Sequence, residues 1–323
     1  MYLTSTPERL NVSYIYRSSL HNSVRTCMYV YTCQNMKSLS SFIFQNVTRK
    51  FNILTKQKNN FSSTHFGFET VAVEDKQSKV NHVFENVAKK YDLMNDVMSF
   101  GVHRLWKDFF VDQIMPTDKL RCLDVAGGTG DIAFRIMKYA RHINVVPESF
   151  ELKQSVGPEV TVCDINSSMM EVGKQRAEVL GYTNIQWVEG NAESLPFSDN
   201  SFDVYTIAFG IRNCTYIEKV ISEAHRVLRP WGRFYCLEFS RVENYLFRKI
   251  YDAYSMQMIP VIGQLIAGDW NSYKYLVESI RKFPDQKEFA EIIEQSGFID
   301  VNWTNYSDGI VAVHKGFKIP SIK

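Results

Sequence analysis

The stretch that most constrains this chain is Leu120 to Asp131, LRCLDVAGGTGD, where an apolar run passes straight into a glycine-rich turn that opens a helix. Leu123 to Ala126 reads as a buried strand. Gly127, Gly128 and Gly130 supply left-handed conformations and missing Cβ atoms, which let backbone approach a ligand closely. Asp131 stands where the helix begins. Such a turn suits a nucleotide-like ligand. The spacing Gly128-x-Gly130-x-x-Ala133 also satisfies the looser dinucleotide fingerprint, so the turn alone admits both NAD and S-adenosylmethionine.

Three later segments discriminate. Val160 to Asp164, VTVCD, is a β-branched run ending in an acid, placed to accept hydrogen bonds from both hydroxyls of a ribose. Trp187 to Phe197, WVEGNAESLPF, puts Asn191 and Ala192 just past a third strand, where a side-chain amide and a backbone N–H can read an adenine edge. Ser201 to Asn213, SFDVYTIAFGIRN, is a fourth strand led in by Asp203. Together these segments resemble the class I S-adenosylmethionine-dependent methyltransferases, and more narrowly the ubiquinone and menaquinone biosynthesis C-methyltransferase family. The narrower resemblance covers most of the chain beyond about Thr64. It is carried by THFGFETV (64–71), KKYDLMNDVMSFGVHRLWK (89–107), LDVAGGTGD (123–131), NAESLPF (191–197), FGIRN (209–213), YDAYSMQMIPVIGQLIAGD (251–269), ESIRKFPDQ (278–286) and VAVHKGFK (311–318).

The resemblance implies S-adenosylmethionine-dependent methylation of a ring carbon of a 2-polyprenyl-6-methoxy-1,4-benzoquinol in ubiquinone biosynthesis. It places Gly128, Thr129, Gly130, Asp164, Asn191 and Ala192 at the cofactor. A sulfonium methyl is already activated, so the protein's task is alignment and exclusion of water. The quinol carbon becomes nucleophilic as the adjacent phenol gives up its proton, and the developing phenolate needs a positive charge or hydrogen-bond donors. Arg212 cannot be the base, because its pKa exceeds about 12. It is read as electrostatic support for the phenolate or an activated water, with Asn213 and Tyr91 orienting that water or the ring hydroxyl. Two departures from the family pattern stand out: Pro230-Trp231-Gly232 replaces a glycine pair, and Ala208 stands where relatives can carry a small hydroxyl residue.

Charge is unevenly distributed. Residues 1–68 hold eight Lys or Arg and one acid, Glu8, amid many Ser, Thr and Asn, which is transit-peptide composition. A start at Met36 would still leave a compact basic leader. Residues 69–323 carry 29 basic and 34 acidic residues, with no general footprint for nucleic acid. The expected division is therefore a mitochondrial leader over 1–68 and a methyltransferase domain over 69–323. No apolar run reaches the roughly 18 to 20 residues that span a bilayer. The acid-poor leader implies import into mitochondria, and an apolar insert at about 244–282 without a spanning segment implies peripheral attachment on the matrix side of the inner membrane. Six cysteines show neither a CxxC pair nor ligand spacing, and the histidines show no HxH or HExxH pattern, so no metal is expected. Cys122 and Cys163 read as buried thiols. His103, His225 and His314 read as satisfied by local hydrogen bonds.

The expected fold is α/β: a seven-stranded, mostly parallel, doubly wound sheet with N-terminal helices and a helical insert after strand five. Val80, Val83, Phe84, Val87, Ala88 and Tyr91 share one helical face, and Leu105, Trp106, Phe109, Phe110 and Ile114 share another. A helix runs from Asp131 to Tyr139, then a polar loop from Arg141 to Glu159. Ser167 or Ser168 caps the next helix, Gly181 closes it, and Pro230 stops a later one before strand five at Arg233 to Phe239. The insert, about 244–282, offers Tyr251, Tyr254, Met256, Met258, Ile259, Val261, Ile262, Leu265 and Ile266 as an isoprenoid-tail lining, with Pro260 and Gly263 interrupting its helix. The chain ends in two strands, near Ile299–Asn305 and Gly309–Lys315.

The partners implied are the polyprenyl benzoquinol, other proteins of a multi-subunit ubiquinone-synthesis complex and the inner-membrane surface, with a homodimer left open. Two other classes stay open on the sequence: a non-catalytic lipid-binding or scaffolding subunit, and an NAD-dependent oxidoreductase, which the closing hairpin disfavours.

Overall fold

The computed structural model describes residues 63–87, 95–96, 98–143, 157–268 and 270–320. The leader composition before residue 63, most of the polar loop, and Tyr91 lie outside the described residues. A compact unit spans Ser62–Lys323. It opens with an antiparallel hairpin, β1 (Ser63–Phe66) and β2 (Glu69–Ala72), that the sequence reading had not picked out and that brings residues 63–68 into the folded unit. Helices α1 (Val73–Val87) and α2 (Val102–Ile114) follow.

The alternating section runs β3 (Arg121–Val125), α3 (Asp131–Ile143), β4 (Glu159–Asp164), α4 (Ser167–Leu180), β5 (Ile185–Glu189), β6 (Phe202–Ala208), α5 (Ile217–Val227) and β7 (Leu228–Phe239). After it come α6 (Tyr245–Ala267), α7 (Trp270–Lys282), α8 (Gln286–Gln295), β8 (Phe298–Tyr306) and β9 (Val311–Lys318). The seven-stranded sheet has the order β5-β4-β3-β6-β7-β9-β8. β9 runs antiparallel to both neighbours, and the other strand pairs are parallel. Chain order reverses beside β3, which has β4 on one side and β6 on the other. In open α/β sheets that switch point opens the ligand crevice at the carboxyl ends of the strands.

Each face of the sheet carries a core. On one, Val220, Ile221 and Ala224 of α5 and Phe289 and Ile293 of α8 cover Tyr205, Ile207 and Phe234. On the other, Trp106, Phe110 and Ile114 of α2 and Ile132, Ala133 and Ile136 of α3 cover Val160, Val204 and Leu237. The expected α2 stripe is thus narrower than its periodicity suggests: Leu105 and Phe109 are exposed, and Phe109 stacks on Tyr306.

Several local expectations change. The cap of α4 is Asn166, whose Oδ1 accepts from Met169 N at 3.0 Å, and Ser167 is already helical. Gly181 closes that helix in the left-handed conformation as expected. Pro230 does not separate α5 from its strand: β7 starts at Leu228, and a register irregularity in its pairing with β6 takes up residues 230–232. Pro260 and Gly263 do not interrupt α6, which runs through both. A mid-helix proline costs about 3 kcal/mol, and burial of Ile259 against Tyr273 and Val277 of α7 outweighs it. Gly263 is where Tyr273 packs directly on the α6 backbone. Helix α8 opens with a capping box: Asp285 Oδ1 accepts from Glu288 N, and Glu288 accepts in return from Asp285 N.

Candidate active site

The carboxyl ends of β3, β4, β5 and β6 meet around one cavity. Its walls are the glycine turn Gly127–Thr129, the segment Asp164–Asn166, the loop Gly190–Glu193 and the end of β6 at Ala208–Gly210. Helix α1 contributes Gln77, Val80 and Asn81, and α2 contributes Lys107. The two central strands end in the same unusual way. Ala126 after β3 and Phe209 after β6 both adopt positive φ, at 51° and 57°. Non-glycine residues held there carry strain that clusters at ligand sites.

The carboxylate of Asp164 braces the turn before any ligand arrives. Oδ2 accepts from Gly128 N and Oδ1 from Asn166 N, both at 2.8 Å. Burial pushes its pKa up, while these backbone donors pull it down. A carboxylate has about four lone-pair positions, so two remain for hydroxyl donors. Asn191 and Ala192 line the same cavity, but the Asn191 side-chain oxygen already accepts from Glu193 N at 2.9 Å. Deeper in, Asp124 is fully buried. Thr206 Oγ1 donates to its Oδ1 at 2.9 Å, and Oδ2 has no hydrogen-bond partner among the described residues. Burial holds this carboxyl up at about 7. A buried acceptor without a partner, lining a cavity, fits a ligand that brings a cation or donor there, as the ammonium of an amino-acid moiety would.

A second cavity, of about 450 Å³, adjoins the first. Lys107, Phe209 and Asn213 line both. Most of its wall is apolar or aromatic, including Met98, Trp106, Phe239, Tyr251, Tyr254, Ile259 and Leu276. Of the expected tail-lining residues, Tyr251, Tyr254 and Ile259 reach this wall. Met256, Met258, Val261 and Leu265 are exposed on α6, because an unbroken helix can turn only one face inward. The side chain of Ile266 lies outside the described residues.

At the junction, Lys107 Nζ is 2.7 Å from Asp131 Oδ2 and is buried. Tyr275 donates to Asn213 Oδ1 at 3.0 Å and stacks on Phe66 of the hairpin, so β1 and α7 together fix the amide. Burial raises the Tyr275 phenol above its ordinary range. Arg212 lines the second cavity and is buried in a pair with Glu238, Nη1 to Oε1 at 2.8 Å. Its Nε, also buried, has no partner among the described residues.

Of the sequence-derived residues, Gly128, Thr129, Asp164, Asn191 and Ala192 gather at the first cavity, Asn213 at the junction and Arg212 at the second. Gly130 lies between two residues of the first cavity's wall, Thr129 and Asp131, without forming part of it itself: its φ is 81°, and a Cβ there would lie 2.6 Å from Trp187 Cη2, so it serves the turn and its packing. Asp124, Lys107, Glu238 and Tyr275 were missed. Asp124 sits inside the quoted LDVAGGTGD, where an acid in the middle of an apolar strand was the available signal. His103 and His314 hydrogen-bond locally through Nε2, to Asp96 and to the Gln286 carbonyl, but the buried Nδ1 of each has no partner among the described residues, so neither ring is fully satisfied. Cys122 and Cys163 are buried free thiols. No cluster that could hold a metal occurs among the described residues.

Residues 72–318 match the model of the ubiE/COQ5 methyltransferase family. The chain is 52% identical over 286 residues to the mitochondrial 2-methoxy-6-polyprenyl-1,4-benzoquinol methylase of Bos taurus, covering 82% of this chain and 87% of that protein. To the protein of the same name from Danio rerio it is 55% identical over 277 residues, covering 80% and 85%. Among solved structures, a Thermotoga maritima S-adenosylmethionine-dependent methyltransferase superposes with a TM-score of 0.50 at 19% identity, over 73% of this chain and 98% of that one. The cyclase SpnF superposes at 0.51 with 14% identity, over 74% and 95%. The two structures bear on the fold alone, which they share with the sheet described above. With a family model spanning most of its length and half-identical relatives covered nearly end to end, the chain belongs to the ubiE/COQ5 methyltransferase family.

Proposed function

We propose that this chain methylates a ring carbon of 2-methoxy-6-polyprenyl-1,4-benzoquinol, with S-adenosylmethionine as methyl donor, in ubiquinone biosynthesis. The observation that carries the reading is the pairing of two cavities: one at the switch point of the sheet, walled by the glycine turn and Asp164, and one large and apolar, joined to it at Lys107, Phe209 and Asn213. A small polar cofactor and a lipid-tailed ring need such a pair.

Bound S-adenosylmethionine supplies a methyl already activated on a sulfonium. Asp164 is assigned to the ribose hydroxyls, Asn191 and Ala192 to the adenine, Gly128 and Thr129 to close backbone approach, and Asp124 to the amino-acid ammonium. Arg212 supports negative charge developing on the quinol oxygen, and Asn213, fixed by Tyr275, orients the ring hydroxyl or a water. Tyr91 keeps the same assignment from sequence alone. Reduction matters to this chemistry, because only the quinol has a phenol to ionise. Assay of a short-tailed demethyl substrate in both redox states tests the reading: turnover is expected with the quinol and none with the quinone, whereas equal turnover would refute it.

The relatives are named mitochondrial. The finer address proposed here is the matrix face of the inner membrane, held peripherally, after removal of a leader ahead of the β1–β2 hairpin. No helix among the described residues is long and apolar enough to cross a membrane. Carbonate extraction is expected to release the protein, and sequencing of its mature N-terminus to find the leader gone. Partner proteins of a ubiquinone-synthesis complex follow from the family resemblance, with a homodimer as a further arrangement, and co-purification under native conditions tests both.

A further inference from the structure

The second cavity opens onto an apolar rim. Phe100, Phe247 and Ile250 each line the cavity and are also exposed, Phe100 by 82% and Ile250 by 59%. Leu246 and Ile250 lie one helical turn apart, and Phe247 and Ile250 three residues apart, so all three share a face of α6. Leu246 is 68% exposed and Tyr245, beside it, 63%. Two cations flank this group: Arg248 and Lys249 both lie over the Tyr245 ring, at 5.7 and 4.6 Å from its centroid. The acids that bound this stretch are already engaged, Glu243 accepting from Asn305 and Asp252 paired with Arg281, and from Asn244 to Tyr251 there is no acid, although acids outnumber bases over residues 69–323. Exposed aromatic and aliphatic side chains with basic residues at their edge form the signature of a helix that lies in a bilayer interface, its cations reaching back to headgroups.

We propose that this rim, the first turns of α6 together with Phe100, docks on an anionic lipid bilayer and admits the substrate's tail from the membrane directly into the second cavity. The inference rests on the quinol-methylation reading and names the surface and the route. Three observations select a bilayer over a second copy of this chain. The local charge is positive where an anionic surface attracts it, the apolar residues form the lip of a lipid-sized cavity, and the reacting ring's own tail partitions into membrane. A protein that withdraws such a tail through water would expose each of its CH₂ groups on the way, which a docked lip avoids.

The test uses the mature full chain with Leu246→Glu and Lys249→Glu variants, neither residue lining either cavity. Flotation with vesicles of phosphatidylcholine plus phosphatidylglycerol is compared with phosphatidylcholine alone. Wild type is expected to float with the anionic vesicles, and each variant to lose about tenfold or more in partitioning, since a basic residue near such a surface contributes on the order of a factor of five and reversal removes more than one such contribution. Melting temperature and turnover of a short-tailed quinol in solution should match wild type, while turnover of a long-tailed quinol embedded in vesicles falls. Variants that float like wild type would overturn the proposal. So would a change of oligomeric state by light scattering in place of lost flotation, which would make this face a contact between copies. If wild type turns over neither substrate, the methylation reading has failed, and flotation still decides the docking surface.

Discussion

The Arg212 guanidinium sits 2.8 Å from the buried Glu238 carboxylate, and the same Nη1 donates to the Phe209 carbonyl at 2.5 Å. Arg212 also lies over the Phe239 ring, 5.3 Å from its centroid. The residue that lines the second cavity is therefore also an ion-paired core residue, and a single substitution there is expected to disturb turnover and stability together. Arg212→Ala is expected to lower turnover by about 10²-fold, the scale of a lost oxyanion donor. It should also destabilise the fold by about 3–5 kcal/mol, because Glu238 is left buried and unpaired. The double substitution Arg212→Met/Glu238→Leu removes both charges and should recover most of the stability but none of the turnover. Urea unfolding and turnover per folded molecule on the three proteins check this. An active double variant would mean that Arg212 has only a structural role.

Asp124 is expected to give cofactor binding a pH dependence. Its carboxyl is held up at about 7 by burial, so an ammonium partner must bind against a proton below that pH. Affinity for S-adenosylhomocysteine should fall toward tenfold per unit as pH drops below 7, and Asp124→Asn should flatten the profile. Without ligand the sign is opposite. A carboxyl whose folded pKa is raised stabilises the fold fully at pH values below its unfolded pKa and loses that contribution as pH rises through about 7. Calorimetric titration and unfolding across this window read the two effects separately, and a profile unchanged by Asp124→Asn would remove the assignment.

Asp164→Ala should weaken cofactor binding by roughly 1.5–3 kcal/mol, the range for hydrogen bonds to a charged group. Because Asp164 also accepts from Gly128 N and Asn166 N, the variant should lose thermal stability as well, even in the absence of ligand. Asp164→Asn keeps one acceptor oxygen and should fall between the two. Cofactor affinity equal to wild type in the alanine variant would place the ribose elsewhere.

Trp231 occupies a left-handed turn position, φ 66°, with its indole 67% exposed. A glycine accepts that backbone conformation without the roughly 1–2 kcal/mol penalty of a side chain. Trp231→Gly, which restores the family's glycine pair, is expected to raise thermal stability by up to about 1 kcal/mol after the entropy cost of glycine, with turnover unaffected. A lower melting temperature would show that the indole contributes packing that outweighs the strain.

Legibility in the sequence followed the range of each signal. The parallel strands and the closing antiparallel pair were readable because short apolar runs and the turns between them are written over a few residues, and β3, β4 and β6 are buried almost throughout. The glycine turn, Asp164, and Asn191 with Ala192 were readable for the same reason, lying at or just past the ends of β3, β4 and β5. Glu238 was not, since a lone acid in LEF gains meaning only when Arg212, 26 residues earlier, is folded against it. Lys107 falls outside the apolar stripe that the periodicity of α2 marks, and only the packing of α2 on the sheet brings it between two cavities. Pro260 misled in the other direction. Its local cost is real, yet burial against α7 decides the path of α6.

The central claim is transfer of a sulfonium methyl to a quinol ring carbon, and the position of the transferred label tests it most directly. Purified protein is incubated with S-adenosylmethionine labelled with carbon-13 in its methyl group and a short-tailed demethyl benzoquinol under reducing conditions, and the product is read by NMR. One labelled methyl bonded to a ring carbon adjacent to a quinol hydroxyl is expected, with far less of it formed by Asp164→Ala at cofactor concentrations well below that variant's dissociation constant. A labelled methyl on oxygen, or no transfer by a folded protein that binds the cofactor, would contradict it.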